Sequence, residues 1–279
     1  MTLAGRSPFT GRWGAATDKG AVRRHNEDSL LASPPLFLVA DGMGGHDAGD
    51  IASAMVVASF ARFVEQPSVS EDEVRQAVTH ARQSISEYFE PSGLSGGSTL
   101  TGIGVSSVDG EAAVVVVNIG DSRTYRLSQG VLEQLSKDHS TVQELIDSGA
   151  IQALEARTHP ERNVITRAIS PTADSEPDVW SVPARVGDRY LACSDGLTGE
   201  LTDDEIRDVL LAHDDPQTAA AELVARALAE RGRDNITAVV VDVVQIARGD
   251  DPGGLWQRLA AGSGDDASIE DTIPTHPAT

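Results

Sequence analysis

Apolar residues divide the chain into segments with two different periods. The run LFLVA at 36–40 has no polar interruption, which predicts a strand buried on both faces. From Asp50, and again over 70–90, apolar residues recur at helical spacing, and Ser70 is placed to cap the second of these helices. The pattern therefore predicts a buried strand followed by two helices.

Between residues 98 and 136 the pattern changes to short β-rich runs. They are separated at Asp109 and Gly110 and at Gln129 and Gly130, where tight turns are expected, and so predict a meander of antiparallel hairpins. An acidic loop is expected between the first two strands. The remaining predicted elements are strands at 9–17, near 177–182, near 188–194 and at 235–246, and helices at 138–148, near 202–212 and near 216–231. Runs of strands separated by runs of helices indicate a layered α+β fold.

The composition of the chain changes near residue 247. The segment after Ala247 is rich in Gly, Asp, Pro and Ser and has little to bury. We therefore expect one domain over 1–246 and an acidic, disordered tail over 247–279. Apolar runs stop well short of the ~20 residues that a membrane helix needs, and the N-terminus lacks the charged-then-apolar plan of a secretory signal. These features predict a cytoplasmic protein with no membrane span.

Charge and cysteine content exclude several classes of protein. The 43 acidic residues outnumber 22 basic ones, and the formal charge of −21 disfavours binding to nucleic acid. Cys193 is the only cysteine, which excludes an internal disulfide and a zinc site with several cysteines. Gly199 stands six residues later, where a cysteine phosphatase would need an arginine. The two lysines, Lys19 and Lys137, lie outside any P-loop motif, and DGMGGHDAGD at 41–50 lacks the alternating acids of an EF-hand.

Five short acidic signatures share one layout. They are RRHNED at 23–28, DGMGG at 41–45, NIGDSR at 118–123, SDGLT at 194–198 and RDNIT at 233–237. Each places a carboxylate at the end of a predicted strand or in the adjoining turn, and Asp41 and Asp195 are each followed by a glycine whose backbone can approach an ion. Carboxylates from distant segments, without a cysteine cluster, suit Mg²⁺ or Mn²⁺. Four of them, Glu27, Asp41, Asp195 and Asp234, would balance the charge of two divalent ions.

Six motifs, in this order, resemble the bacterial branch of the metal-dependent Ser/Thr protein phosphatases of the type 2C (PPM) family. They are VRRHNEDS, FLVADGMGGHDAGDIAS, GGSTLT, NIGDSR, CSDGLT and RDNIT, and the similarity spans about residues 9–246. The resemblance implies a β-sandwich of two antiparallel sheets flanked by α-helices. It also implies hydrolysis of phosphoserine and phosphothreonine in proteins by a water that bridges two Mn²⁺ or Mg²⁺ ions, in opposition to a bacterial Ser/Thr kinase.

The resemblance further implies which residues hold the two ions. Asp41 resembles the carboxylate that bridges both of them. Glu27 and the carbonyl of Gly42 match the remaining ligands of one ion, and Asp195 and Asp234 match those of the other.

Three more residues match positions around this pair of ions. Asp28 resembles an acid that lies behind the ligands and orients bound water. Asp121, together with Asp195, resembles the pair that holds a weaker third ion in bacterial relatives. Arg23 resembles the arginine that clamps the substrate phosphate, a task suited to its planar set of donors.

The sequence leaves the general acid unassigned. Eukaryotic relatives have a histidine soon after the position of Asp28, whereas SLLAS follows it here. His46 is close to Asp41 in sequence but is interpreted as structural, and a metal-bound water is the alternative acid. A catalytically weak module that binds phosphoproteins is the alternative function. Because every metal position is filled, the sequence favours an active enzyme.

The tail carries a separate hypothesis. SIEDTIPT at 268–275 places Thr272 after two acids, a context that resembles kinase-modified sites read by forkhead-associated domains. Phosphorylation there would add about −1.5 to −2 charge and a group that arginine can pair with. A solvated acidic tail is the alternative. Mass spectrometry after incubation with a cognate kinase decides between them, because the hypothesis requires modification at Thr272 or Thr275.

Overall fold

Two antiparallel sheets form the centre of the fold in the computed structural model, which describes residues 7–44, 48–92, 95–171 and 176–247. The first sheet has the order β1 (Phe9–Asp18), β11 (Ile236–Ile246), β10 (Arg189–Cys193), β7 (Arg123–Ser128) and β8 (Val131–Gln134). The second has the order β2 (Asp28–Ser33), β3 (Leu36–Gly44), β5 (Leu100–Val108), β6 (Glu111–Ile119) and β9 (Asp178–Pro183), with β4 (Gly96–Ser98) paired to the end of β3.

The two sheets pack face to face. Phe37 and Ile103 from the second sheet lie in one buried cluster with Tyr190 and Val241 from the first. Each sheet therefore uses one face for this shared core and the other for helices. The predicted β-sandwich is confirmed, as is the burial of the run 36–40 on both faces.

Helices cover the outer face of each sheet. The helices of the described residues are α1 (Ala48–Ala58), α2 (Glu71–Phe89), α3 (Thr141–Asp147), α4 (Ala153–Ala156), α5 (Asp195–Thr198), α6 (Asp203–Ala212) and α7 (Pro216–Glu230). The first two share a buried cluster with the second sheet, and α6 and α7 share another with the first sheet. Within the described part of the chain, no helix is both long and apolar enough to cross a membrane.

Local signals in the sequence correctly placed a helix start and two turns. Ser70 Oγ accepts a hydrogen bond from the backbone N–H of Glu73 at 3.3 Å, and the Glu73 carboxylate accepts one from the Ser70 N–H at 2.8 Å. This reciprocal pair satisfies two donors at the N-terminus of α2. Both hairpin turns have two successive residues with positive φ, 53° and 84° in the first and 50° and 81° in the second. Such turns match the twist of the flanking strands.

The segment before β3 differs from the sequence prediction. The loop expected there contains β2, which pairs with β3 over its whole length, with Asp28 opposite Asp41 and Ser33 opposite Leu36. Only two leucines interrupt the polar residues of β2, so its own pattern is a weak strand signal. Pairing with a buried neighbour decides its conformation. The short helices α4 and α5 were also not predicted, and α3 begins at Thr141 because Ser140 caps it.

Candidate metal and phosphate site

Five of the predicted acids stand at strand ends on the same side of the sandwich. Asp28 begins β2 and Asp41 lies opposite it near the end of β3. Asp121 follows β6, Asp195 follows β10, and Asp234 precedes β11. Asp41 interacts electrostatically with all four of the others. The structure therefore brings these carboxylates together, as the sequence predicted, from segments up to 206 residues apart.

Burial makes the cluster costly for ionised carboxylates. Burial is the main cause that raises the pKa of Asp28 to about 7, of Asp121 to about 8 and of Asp195 to about 6. The pKa of Asp41 is raised as well, by burial and by the neighbouring acids, and its carboxyl shares a hydrogen bond with Asp195. Nearby positive charge would favour the ionised forms. The chemistry of this set of oxygens fits a divalent cation.

Asp28 has an unused oxygen. Its Oδ2 accepts a hydrogen bond from Thr237 Oγ1 at 2.7 Å, whereas its Oδ1 is buried without a hydrogen-bond partner. A buried carboxylate oxygen is costly without a partner. An ordered water bound to a metal would supply that partner, which agrees with the position behind the ligands expected for Asp28.

Glycines create the space around Glu27. A Cβ added at Gly49 would lie 2.5 Å from Glu27 Oε2, and one added at Gly42 would lie 2.6 Å from the Glu27 carbonyl. The same carbonyl accepts hydrogen bonds from the Gly42 N–H at 3.1 Å and from Ser53 Oγ at 2.6 Å. Glu27 is therefore held between β3 and the start of α1. Sequence reasoning missed Gly49, although it lies within the DGMGGHDAGD stretch.

Replacement of Gly49 by alanine is expected to weaken Mn²⁺ binding by about 10–100-fold, the usual cost of disturbing a residue that supports a metal ligand. The added methyl must displace the carboxylate of Glu27. Isothermal titration with Mn²⁺ measures the effect. Ala48→Gly tests the neighbouring position of the same helix turn without adding atoms. Equal Mn²⁺ affinity in Gly49→Ala and the wild type would exclude Glu27 from the metal site.

Arg23 lies beside this cluster and remains partly open to solvent. Its Nη2 donates to Asp234 Oδ2 at 2.7 Å, and the two side chains are 53% and 32% exposed. The hydrogen bond to Asp234 is the main cause that raises the pKa of Arg23, with contributions from Glu27 and Asp195. A cationic, accessible donor beside buried acids is suited to an anionic substrate group.

Backbone contacts hold Asp41 in place. Its N–H donates to Thr99 Oγ1 at 3.0 Å, and its carbonyl accepts from the Thr99 N–H at 2.9 Å and from Ser98 Oγ at 3.0 Å. Thr99 Oγ1 in turn contacts Ser122 Oγ at 2.8 Å, beside Asp121. These contacts explain what the GGSTLT motif contributes.

A second layer of residues holds the loop of Asp121, and sequence reasoning missed it. Arg123 donates to both oxygens of Asp138, at 2.7–3.0 Å, and lowers the pKa of Asp121 relative to burial alone. His139 Nδ1 accepts from the Gly120 N–H at 3.2 Å. Asp138 and His139 lie in the short sequence KDHS at 137–140, directly after the meander, and this polar segment could have indicated them. Their contacts with Arg123 and Gly120 depend on how the strands pair.

The carboxylates are gathered but not yet arranged as a coordination shell. Across residues 7–44, 48–92, 95–171 and 176–247, no group of three or more His, Cys, Asp or Glu side chains is arranged to hold a metal ion. Asp234 contacts Arg23, and Asp41 and Asp195 share a hydrogen bond. His46, Thr272 and Thr275 lie outside the described residues.

Fold and site together define an α+β sandwich with a cluster of acids at the ends of its strands. The family model described as protein phosphatase 2C matches residues 18–235. The chain belongs to this family.

Relatives and solved structures give the same assignment. The serine/threonine protein phosphatase PstP of Mycobacterium tuberculosis is 39% identical over 94% of this chain, which spans about half (50%) of that relative. Serine/threonine phosphatase stp of Listeria welshimeri is 35% identical over 84% of this chain and 97% of its own length. The catalytic domain of PstP, solved with two manganese ions, is 38% identical with a TM-score of 0.77, over 84% of this chain and 98% of that one.

Proposed function

We propose that this chain is a metal-dependent protein phosphatase that hydrolyses phosphoserine and phosphothreonine. The observation that carries the proposal is the convergence of Asp28, Asp41, Asp121 and Asp195, half-buried and with raised pKa values, beside the accessible guanidinium of Arg23. Family membership supports it, as does the similarity to relatives named serine/threonine phosphatases.

The residues that would hold two Mn²⁺ or Mg²⁺ ions are the five that match the family motifs. Asp41 would be shared between the ions, Glu27 and the Gly42 carbonyl would hold one, and Asp195 and Asp234 the other. The relative solved with two manganese ions supports this number. When bound, the ions supply a reactive water near neutral pH and offset charge on the phosphoryl group. A third, weaker ion at Asp121 and Asp195 is a finer part of the proposal.

The chain's own residues bind and orient the substrate. Arg23 pairs with the phosphate through its planar donors, which requires it to exchange part of its contact with Asp234. Asp28 Oδ1 is buried without a hydrogen-bond partner, so this oxygen is free to accept from a bound water and to orient it. The hydroxyl of Thr237 fixes the other oxygen of Asp28, so this carboxylate keeps its direction.

Phosphate release from a phosphothreonine peptide tests the proposal. We expect release with Mn²⁺ or Mg²⁺, none with EDTA, and slow release from a matched phosphotyrosine peptide. If the wild type binds the phosphothreonine peptide but releases no phosphate under any of these conditions, the phosphoprotein-binding module replaces the enzyme. The opposing partner we propose is a bacterial Ser/Thr kinase, and the proposed location is cytoplasmic. Recognition of a phosphorylated Thr272 by a forkhead-associated domain stays a prediction.

Thermal stabilisation by Mn²⁺ is expected to grow as the pH rises from about 5.5 to about 8. Without metal, Asp28, Asp121 and Asp195 hold protons in the folded state that the unfolded chain, with carboxyl pKa values of about 4, has released. Stability that depends on a raised folded pKa is lost as the pH rises through it. Mn²⁺ favours the ionised forms and removes this loss. Differential scanning fluorimetry with Mn²⁺ and with EDTA measures the gap in Tm, and a gap that narrows with pH contradicts the prediction.

A further inference from the structure

Asn235, which directly follows Asp234, contacts three backbone groups with one side chain. Its Oδ1 accepts from the Glu27 N–H at 2.8 Å. Its Nδ2 donates to the carbonyl of Lys19 at 2.8 Å and to that of His25 at 2.9 Å. The orientation of the amide follows from its partners, because two are carbonyls and one is an N–H. Asn235 is 5% exposed, and its three hydrogen bonds have lengths in the usual range.

These contacts close both ends of the segment 19–25, which we call the arginine loop. The loop joins β1 to Glu27 and carries Arg23, and its residues 21–25 are exposed. It is also held at Ala21, whose N–H donates to the Gly232 carbonyl at 2.8 Å. At Gly20 φ is +78° and an added Cβ would lie 2.1 Å from the Asp234 carbonyl, so only glycine fits this approach. The loop is therefore built against the segment that contains Asp234 and Asn235.

We infer that Asn235 is a positioning residue that fixes the arginine loop and Glu27 relative to each other. The inference rests on the proposed function, in which Arg23 binds the phosphate and Glu27 binds a metal. The three hydrogen bonds of the Asn235 side chain go to backbone groups, so Asn235 acts through the residues that it holds. One amide fixes the backbone on both sides of Arg23 and also the backbone N–H of Glu27. This role accounts for the asparagine of the RDNIT motif, to which the sequence assigned nothing.

Two substitutions separate the contacts of the amide. Asn235→Ala removes all three hydrogen bonds and leaves the Glu27 N–H and two carbonyls without this partner. Asn235→Asp keeps the shape and the acceptor for Glu27 but presents an oxygen to the carbonyls of Lys19 and His25. Gln217→Ala is the matched control, because the Gln217 amide makes the same kind of bridge to the N–H and carbonyl of Ala15 on β1, at 3.1 and 2.9 Å.

Kinetics with a phosphothreonine peptide at saturating Mn²⁺ give the first measurement. We expect Asn235→Ala to raise KM by about 10-fold or more, within the 10–100-fold range for residues that support a site. Because Asn235 acts through Arg23, the same change should have little further effect on KM in an Arg23→Ala background. Gln217→Ala should leave KM unchanged. Multiplicative effects of the two substitutions on KM would overturn the inference, since independent residues add in free energy.

Limited trypsin digestion gives a second measurement that needs no activity. The arginine loop contains three tryptic sites, at Lys19, Arg23 and Arg24. With EDTA present, cleavage there should be faster in Asn235→Ala and Asn235→Asp than in the wild type and Gln217→Ala. Equal cleavage rates in folded Asn235→Asp and the wild type would overturn the inference. If the wild type releases no phosphate, the proposed function fails, while the digestion result still decides whether Asn235 holds the loop.

Discussion

Asp41→Asn is expected to lower kcat/KM for a phosphothreonine peptide by more than about 100-fold, because even residues behind metal ligands can cost that much. The other four acids of the cluster all raise the pKa of Asp41 electrostatically, and we propose that Asp41 is shared between the two ions. The amide keeps the shape and can still donate to Asp195, but it loses the charge that holds both cations. The thermal shift on adding Mn²⁺ should shrink together with activity.

The same substitution should not unfold the protein. Burial and the neighbouring acids disfavour the ionised form of Asp41 and raise its pKa, so a neutral amide suits the metal-free protein at least as well as the carboxyl group. Its Tm in EDTA should therefore equal or exceed that of the wild type. Asp109→Asn makes the same chemical change in an exposed hairpin turn and should alter neither property. Wild-type activity in Asp41→Asn would remove this residue from the metal site.

Asp242→Ala is expected to lower the free energy of unfolding by about 3–5 kcal/mol, the usual cost of leaving a buried partner charge unpaired. Asp242 lies opposite Arg189 on β10 and opposite Arg12 on β1. Its carboxylate accepts from Arg189 Nε at 2.6 Å and Nη2 at 2.9 Å, and both side chains are about one-tenth exposed. Urea unfolding in EDTA measures the loss without a contribution from metal.

Glu133→Ala is the matched control for this stability prediction. Arg126 and Glu133 also lie directly opposite each other on antiparallel strands, with a contact of 2.7 Å, but the Glu133 side chain is 55% exposed. Exposed pairs contribute about 0–1 kcal/mol, so this variant should remain close to the wild type. An equal loss of unfolding free energy in Asp242→Ala and Glu133→Ala would contradict the prediction, because burial would then not explain the contribution of the ion pair between Asp242 and Arg189. Arg189 also donates to the carbonyls of Leu210, His213 and Asp214, so it remains partly satisfied and the loss should stay within the stated range.

Much of the site was predictable from residues whose local context is unusual. A carboxylate such as Asp41, directly after an apolar run, lacks a favourable partner nearby in the sequence, and its motif indicates a bound cation. Ser70 and the two hairpin turns were predictable because capping and tight turns depend on neighbours within four residues. Gly49 and Asn235 were not predictable, although both lie in quoted motifs. Their partners, Glu27 and the ends of the arginine loop, are distant in sequence.

Local patterns were enough to predict the α+β class, the family, most strand and helix positions, and the acids that could bind metal. These features depend on local periodicity and on short motifs whose residue types indicate their chemistry. Three-dimensional contacts were needed to show that residues 28–33 form a strand opposite β3, that Asp242 faces Arg189, and that Asn235 closes the arginine loop. Each of these depends on strand register or on one side chain reaching backbone far along the chain. Such pairings form because burial requires every polar group to find a partner, and the chain alone does not show which one is near.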